Sequence, residues 1–321
     1  MKTLIRSLAL VALSSALLTT AALFLINYDI FTRLLLKSAG KLHRLKEFQS
    51  EFLTFSKFQL LRYGSLASSF FLAILFFRFS RRLEEGDVLL RRGLVRLGGF
   101  FKETAGRLKQ LDRVEKILLL VAVLLLVGYR SYEFVNLPAS YDEAFTYLNY
   151  SSKNILVSAS HYQSPNNHIF FSLLTNFTSL LPLDPLIAIR LPNFFLSFLT
   201  SFLVFGILAK RLGASASLVA AILFSFSYPI SLYSIHARGY LLYSLFSLIG
   251  VHSLLTLVLE GESRFHWALL TLASTLGFYT IPTFFYPYGS LFLFGLLAFG
   301  FQKRGAAIQH LFLSALSLIH I

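Results

Sequence analysis

Asp142 and Glu143 stand side by side in Tyr141-Asp142-Glu143-Ala144. A carboxylate at a membrane–water boundary stays ionised, and one held beside a hydroxyl can take its proton as that hydroxyl attacks. The same pair could instead open a surface helix, because the helix dipole favours acids in a first turn. Spacing alone does not choose between the two. A second polar stretch runs from His161 to His168 as His-Tyr-Gln-Ser-Pro-Asn-Asn-His and leads into an apolar run, 169–181. That run falls short of the roughly 20 residues a crossing needs, so it is expected to lie along the surface or re-enter. Its polar entry would then be a loop before an interfacial helix. The His161–His168 spacing gives weak grounds for a divalent metal, and no cofactor is assigned.

The third stretch is Tyr233-Ser234-Ile235-His236-Ala237-Arg238-Gly239-Tyr240, at the mouth of an apolar run. Arginine is costly in hydrocarbon and offers a planar fork suited to phosphate. Snorkelling to lipid headgroups is the competing role. Arg190 opens another apolar run, where helix entry or pairing with Asp184 competes with ligand binding. Tyr279-Thr280-Ile281-Pro282 is expected to end or kink a helix.

Such residues need a membrane to position them. Of 321 residues, 56% are hydrophobic and only 14% charged, with 35 Phe and no Cys, and the mean hydropathy is +0.68. A soluble domain carries about 25% charged residues. This much apolar surface cannot hide in one globular core, which excludes an ordinary soluble enzyme, a disulfide-stapled module and a disordered tail. Without Cys there are no thiolate metal sites and no cysteine nucleophile. Apolar runs near 7–26, 60–79, 114–130, 190–209, 214–232, 240–259, 265–282 and 284–301 read as spans, with an incomplete one from about 306. The expected fold is an all-α polytopic bundle of transmembrane helices. The first run is long for a signal-peptide core and is followed by more apolar residues, so it reads as a retained anchor. The chain stops inside an apolar segment, which reads as the end of a fragment.

The formal charge is +14, from 29 basic and 15 acidic side chains. Its distribution speaks for topology and against nucleic acid. Eleven of the cations lie between Arg78 and Lys116, as in a cytoplasmic segment beside anionic membrane lipids. With 78–113 inside, Lys210-Arg211, 260–264 and Lys303-Arg304 fall inside as well. Segments 131–189, 233–239 and 279–283 then fall on the far side, and with them the acids, imidazoles, amides and arginines above. Segment 27–59 is basic yet falls outside by alternation, which a helix lying on the membrane surface accommodates. Composition divides the chain into an N-terminal extension, 1–113, with two spans and a basic cytoplasmic loop, and a membrane core, 114–321. No Gly-rich phosphate loop faces inward, which argues against a cytosolic nucleotide as direct cosubstrate.

In order and spacing, these features resemble the GT-C membrane glycosyltransferases, in the branch of protein O-mannosyltransferases and lipid A aminoarabinose transferases. Asp142-Glu143 matches the family's far-side Asp-Glu. Residues 164–169, Ser-Pro-Asn-Asn-His-Ile, keep one of the two prolines of its next element. Arg190-Leu191-Pro192-Asn193 is close to its Arg-Leu-Pro-Ser. Tyr233, Ser234, Ala237, Arg238 and Tyr240 match its Tyr-Ser-x-x-Ala-Arg-x-Tyr, with His236 where Glu is common. The matches cover about 114–283, residues 1–113 lie outside them, and the family's C-terminal spans and domain are missing.

The resemblance implies a GT-C-like bundle with interfacial helices in its first far-side loop. It implies transfer of a sugar, with inversion, from a polyprenyl-phosphate donor to a hydroxyl of a glycan, lipid or protein acceptor. The site would face the periplasm from a bacterial inner membrane. Asp142 would be the base, Glu143 would orient the acceptor or the base, and Arg238 would clamp the donor phosphate. Tyr240, His236, His168, Asn167 and Arg190 would be further donor or substrate contacts. Two other classes compete. A transporter or flippase of lipids or lipid-linked sugars would line a path with its ionisable residues, but the charges cluster at one face and no paired broken helices stand out. A non-catalytic assembly factor would use the basic 78–113 loop to hold a cytoplasmic partner.

Overall fold

The computed structural model describes residues 4–38, 42–160 and 166–316. Among the described residues every regular element is a helix. Among these residues, five helices are long and apolar enough to cross a membrane, or up to seven spans if each of two bent pairs counts as one. The protein is an all-α, multi-pass membrane protein. Its contacts group into two units, Met1–Val95 and Arg96–Ile321.

In the first unit, α1 (Leu4–Leu25) and α2 (Tyr28–Ser38) meet at a bend of 118°. Asn27 Oδ1 accepts the Asp29 amide at 3.0 Å and so starts α2. A single turn, α3 (Leu45–Glu47), leads towards α4 (Phe55–Lys109). Arg62 on α4 donates to the carbonyls of Leu23 at 2.6 Å and Phe24 at 2.7 Å. These are carbonyls that the end of α1 leaves without helical partners. On α2, exposed Ile30, Leu34 and Leu35 alternate with Arg33 and Lys37, the composition of a helix that lies at a membrane surface. The sequence reading ends the second span near residue 79, whereas α4 runs on without interruption to Lys109. Nothing between 79 and 109 is a proline, and Leu and Arg are good helix formers.

The second unit begins with the last stretch of α4, from Arg96. It continues with α5 (Arg113–Asn136), started by a capping box in which Asp112 Oδ1 accepts the Glu115 amide at 2.7 Å. Three short helices follow, α6 (Tyr141–Thr146), α7 (Ile155–Ser160) and α8 (Ile169–Thr178). The ten residues of α8 reach only about 15 Å at 1.5 Å per residue, so it cannot cross, as its sequence suggests. Asp184 caps α9 (Pro185–Leu212), accepting the Leu186 amide at 2.9 Å, and Gly213 ends it with φ 79°.

From α9 the chain passes to and fro between two ends of the unit, through α10 (Ala214–Phe226), α11 (Tyr228–Ile235), α12 (Tyr240–Leu259), α13 (Arg264–Thr280), α14 (Phe285–Phe301) and α15 (Gly305–Leu316). One end gathers Arg190, Ala237, Tyr240 and Thr280. The other gathers basic residues: Lys210 meets Glu260 at 2.6 Å, and Arg304 meets Glu262 at 2.8 Å. Between α10 and α11 the axis bends by 59°. The pair still makes one passage, because α10 follows the Lys210 end and Ala237 arrives beside Glu143 at the other. The bend frees the Ser225 carbonyl, which Arg130 of α5 satisfies at 2.9 Å while its second nitrogen donates to Ser197 Oγ at 2.8 Å. In hydrocarbon a freed backbone group needs such a partner. Several buried hydroxyls find theirs one helical turn back: Thr200, Ser217 and Ser274 each donate to the carbonyl four residues earlier.

Candidate functional site

The site grows from a helix start. Ser140 caps α6, and Glu143, three residues on, returns a carboxylate to the Ser140 amide at 3.0 Å. Asp142 and Glu143 therefore do occupy a first helical turn, but they face different surroundings. Asp142 is half exposed, at 51%, whereas Glu143 is wholly buried.

Burial alone would push the Glu143 carboxyl up. Four groups reverse that and hold it well below the usual carboxylate range: Arg190, His236, and the backbone amides of Ser140 and Ala237. Arg190 Nε donates to Oε1 at 2.8 Å and Nη2 to Oε2 at 2.9 Å, a bidentate pair with neither side chain exposed. The Ala237 amide adds a bond at 2.9 Å, and His236 Nδ1 stands 3.6 Å away. Arg190 also donates to the carbonyls of Phe134, Leu137 and Pro138, closing the end of α5. Its partner is thus Glu143, while Asp184 spends its carboxylate on capping α9. Glu143 and Arg190 fasten three separate segments together, and neither has a face left for a ligand.

Around that anchor, the link between α11 and α12 is drawn into a tight turn. The Arg238 amide donates to the His236 carbonyl at 2.8 Å. Asn193, wholly buried on α9, donates to the carbonyls of His236 at 2.6 Å and Arg238 at 2.7 Å. The Gly239 amide donates to His168 Nδ1 at 2.7 Å. A side chain at 239 would bring its Cβ within 2.8 Å of Thr280 Cγ2 and 3.0 Å of His168 Cβ, so the turn needs glycine for room. His168 must accept at Nδ1 and so carries its proton at Nε2. Burial, with Arg238 nearby, pushes it down to about 3, and it is neutral at ordinary pH.

This scaffold sets Arg238 opposite Asp142, with Nη2 at 3.6 Å from Oδ2. The gap is too long for a hydrogen bond. The Arg238 side chain is only 11% exposed, and its Nη1 is buried without a hydrogen-bond partner. Its guanidinium lies 5.7 Å from the Tyr240 ring. Tyr240 in turn packs on Tyr233 at 4.3 Å and edge-on to His168 at 5.2 Å. The cluster holds one acid accessible to solvent and one cation with donor capacity to spare, against aromatic walls. Such a group can bind an anion and accept a proton within a few ångströms.

No family model, curated protein or solved structure matches the chain. What can be said of the site therefore comes from its own geometry. Asp142, Arg238, His236, Tyr240 and His168 come together, with Glu143 and Arg190 beneath them. Asn167 is placed otherwise: buried, it donates to the Ser158 carbonyl at 3.1 Å and accepts from Ser172 at 2.7 Å, tying α7 to α8. His161 and Pro165 lie outside the described residues, and with them the metal pairing considered for His161 and His168. Among the described residues no three His, Cys, Asp or Glu side chains are grouped to hold a metal. Sequence reasoning passed over Ser140 and the role of Asn193. The first was readable, since Ser-x-x-Glu is the capping-box spacing. The second was not, because its partners are carbonyls 43 and 45 residues away.

Proposed function

We propose that the protein is a GT-C-type sugar transferase that uses a polyprenyl-phosphate-linked donor and an acceptor hydroxyl. The reading rests above all on the Asp142–Arg238 pair, an accessible carboxylate facing a largely buried guanidinium with an unpaired nitrogen. It is supported by the place of that pair at the end of the bundle opposite Lys210 and Arg304. The preference of cations for the cytoplasmic side supports a site on the far side of the membrane, which on the GT-C reading is the periplasmic face of a bacterial inner membrane.

Without donor, Asp142 and Arg238 partly neutralise each other. The donor phosphate replaces Asp142 beside Arg238 and frees the carboxylate, which is exposed enough to turn towards the acceptor. The acceptor oxygen then bonds to the anomeric carbon as the bond from that carbon to the phosphate oxygen breaks, with inversion. The hydroxyl proton goes to Asp142. The electron pair stays with the polyprenyl phosphate, whose added charge Arg238 stabilises where water is scarce. Glu143, held ionised by Arg190, takes no part in proton transfer; it positions the α6 turn and the 236–238 link. His168, neutral, supports the backbone of the same turn.

A second reading has its own observation. The broken span α10–α11 with the buried Arg130 at its bend is a feature of transport paths. The two are separated by giving the purified chain in proteoliposomes a labelled polyprenyl-phosphate sugar, with membrane extract as acceptor source. Sugar transfer requires release of polyprenyl phosphate and an inverted product. Movement of intact donor across the bilayer without release supports transport instead.

A further inference from the structure

At the end of the second unit remote from Asp142 lies a cavity of about 740 Å³, within the range of ligand pockets. It runs along the helices, since its lining follows α12 from Leu245 to Glu260 just past the helix end, about 22 Å at 1.5 Å per residue. Its chemistry changes in layers. The deep part is apolar, walled by Leu199, Leu203, Leu245 and Ile249. A middle layer sets Phe100 against His252 at 5.5 Å, and His252 against His266 at 5.5 Å. The mouth carries Arg96, Lys210, Glu260 and Glu262.

We propose that this cavity binds one anionic phospholipid of the adjoining leaflet, with its phosphate at Arg96 and an acyl chain between α9 and α12. Three observations carry this. The gradient from hydrocarbon wall to charged rim follows the axis of the helices, as in a lipid standing in its leaflet. The middle layer holds polar atoms that are buried without partners, His252 Nδ1, His266 Nδ1 and Thr256 Oγ1. Such atoms are costly unless a ligand satisfies them, and the glycerol and ester oxygens of a lipid lie at that depth. Finally, the rim has a positive charge to spare. Glu260 is paired with Lys210, Glu262 with Arg304 and Glu103 with Arg107. Among the described residues Arg96 meets no carboxylate: it donates to the Ser263 hydroxyl at 2.7 Å and lies 5.7 Å from the Phe265 ring. This site is independent of the sugar-transfer reading.

The test is native mass spectrometry of the delipidated full chain, titrated with phosphatidylglycerol or phosphatidylcholine of identical acyl chains. Inorganic phosphate serves as a headgroup without a tail. The first phosphatidylglycerol is expected to bind about tenfold more tightly than phosphatidylcholine, and Arg96→Gln to remove that preference. Arg96 is exposed, so this variant should fold. Leu203→Phe, which fills the tail channel, should weaken both lipids while leaving helix content unchanged. Equal binding of the two lipids to the unaltered chain, or an unchanged preference in Arg96→Gln, would overturn the proposal. Competition by inorganic phosphate as strong as by the whole lipid would make this a free-phosphate site and overturn it equally.

Discussion

Glu143 and Arg190 form a two-pronged ion pair, at 2.8 and 2.9 Å, in which neither side chain reaches solvent. Desolvating both charges offsets much of their attraction, so the pair is worth little over an apolar substitute, but removing one partner strands the other. Glu143→Gln or Arg190→Met alone should each cost about 3–5 kcal/mol. The combined Glu143→Leu/Arg190→Met variant should recover part of that loss. Thermal unfolding in detergent gives the comparison, and a double variant weaker than both singles would contradict this account of the pair.

This pair also shows where the sequence stops being informative. The apolar runs mark α4, α5, α9, α12, α14 and the short helix after residue 168, because length and hydropathy are local properties. The run 265–282, expected to span, instead forms α13 of only 17 residues, which is not among the helices long and apolar enough to cross. The partner of Arg190 is 47 residues away, while Asp184 lies one turn or so before it and invites a pairing that its capping role forecloses. Arg130 reads as the end of a span, since a charge in an apolar run marks a boundary. Only the bend between α10 and α11 supplies the carbonyl that makes it a buried residue within α5. The stretch 79–109 reads as a loop by charge, yet charge does not break a helix that has no proline.

At the bend, Arg130→Met should leave the Ser225 carbonyl with only the long bond from Ser231 Oγ at 3.4 Å and cost about 1–3 kcal/mol. Hydrogen exchange should quicken around residues 225–231 and stay unchanged in α12. Exchange rising equally throughout the unit would mean that Arg130 serves general packing rather than the bend.

Gly239 has φ −74°, open to any residue, so crowding is the whole of its constraint. Gly239→Ala should cost about 1–3 kcal/mol by forcing Thr280 and His168 aside. Adding Thr280→Ser removes the nearest methyl and should restore part of the unfolding midpoint. No recovery in the double variant would place the crowding at His168 alone.

His168 makes stability depend on pH. Folded, it is pushed down to about 3; unfolded, it takes a proton near the ordinary value of about 6.5. Its contribution is therefore full above that ordinary value and is lost as pH falls towards the folded one. The Glu143 carboxylate adds a further loss only once pH drops below the usual carboxylate range. Between about pH 7 and 5 the unfolding midpoint should fall, and His168→Asn, which keeps an acceptor for the Gly239 amide, should flatten the slope. The same slope in both proteins would remove His168 as its source.

The central claim is that Asp142 takes the acceptor proton while Arg238 holds the donor phosphate. The most direct measurement is single-turnover sugar transfer by Asp142→Asn at saturating polyprenyl-phosphate sugar, alongside donor binding by the same protein. Asparagine keeps the size and loses the basicity, so turnover should fall by about two to four orders of magnitude with donor binding retained or tightened, since Arg238 loses its competing partner. Arg238→Lys should show the opposite division, weaker donor binding with partial turnover. Near-normal transfer by Asp142→Asn, at equal amounts of folded protein, would contradict the account.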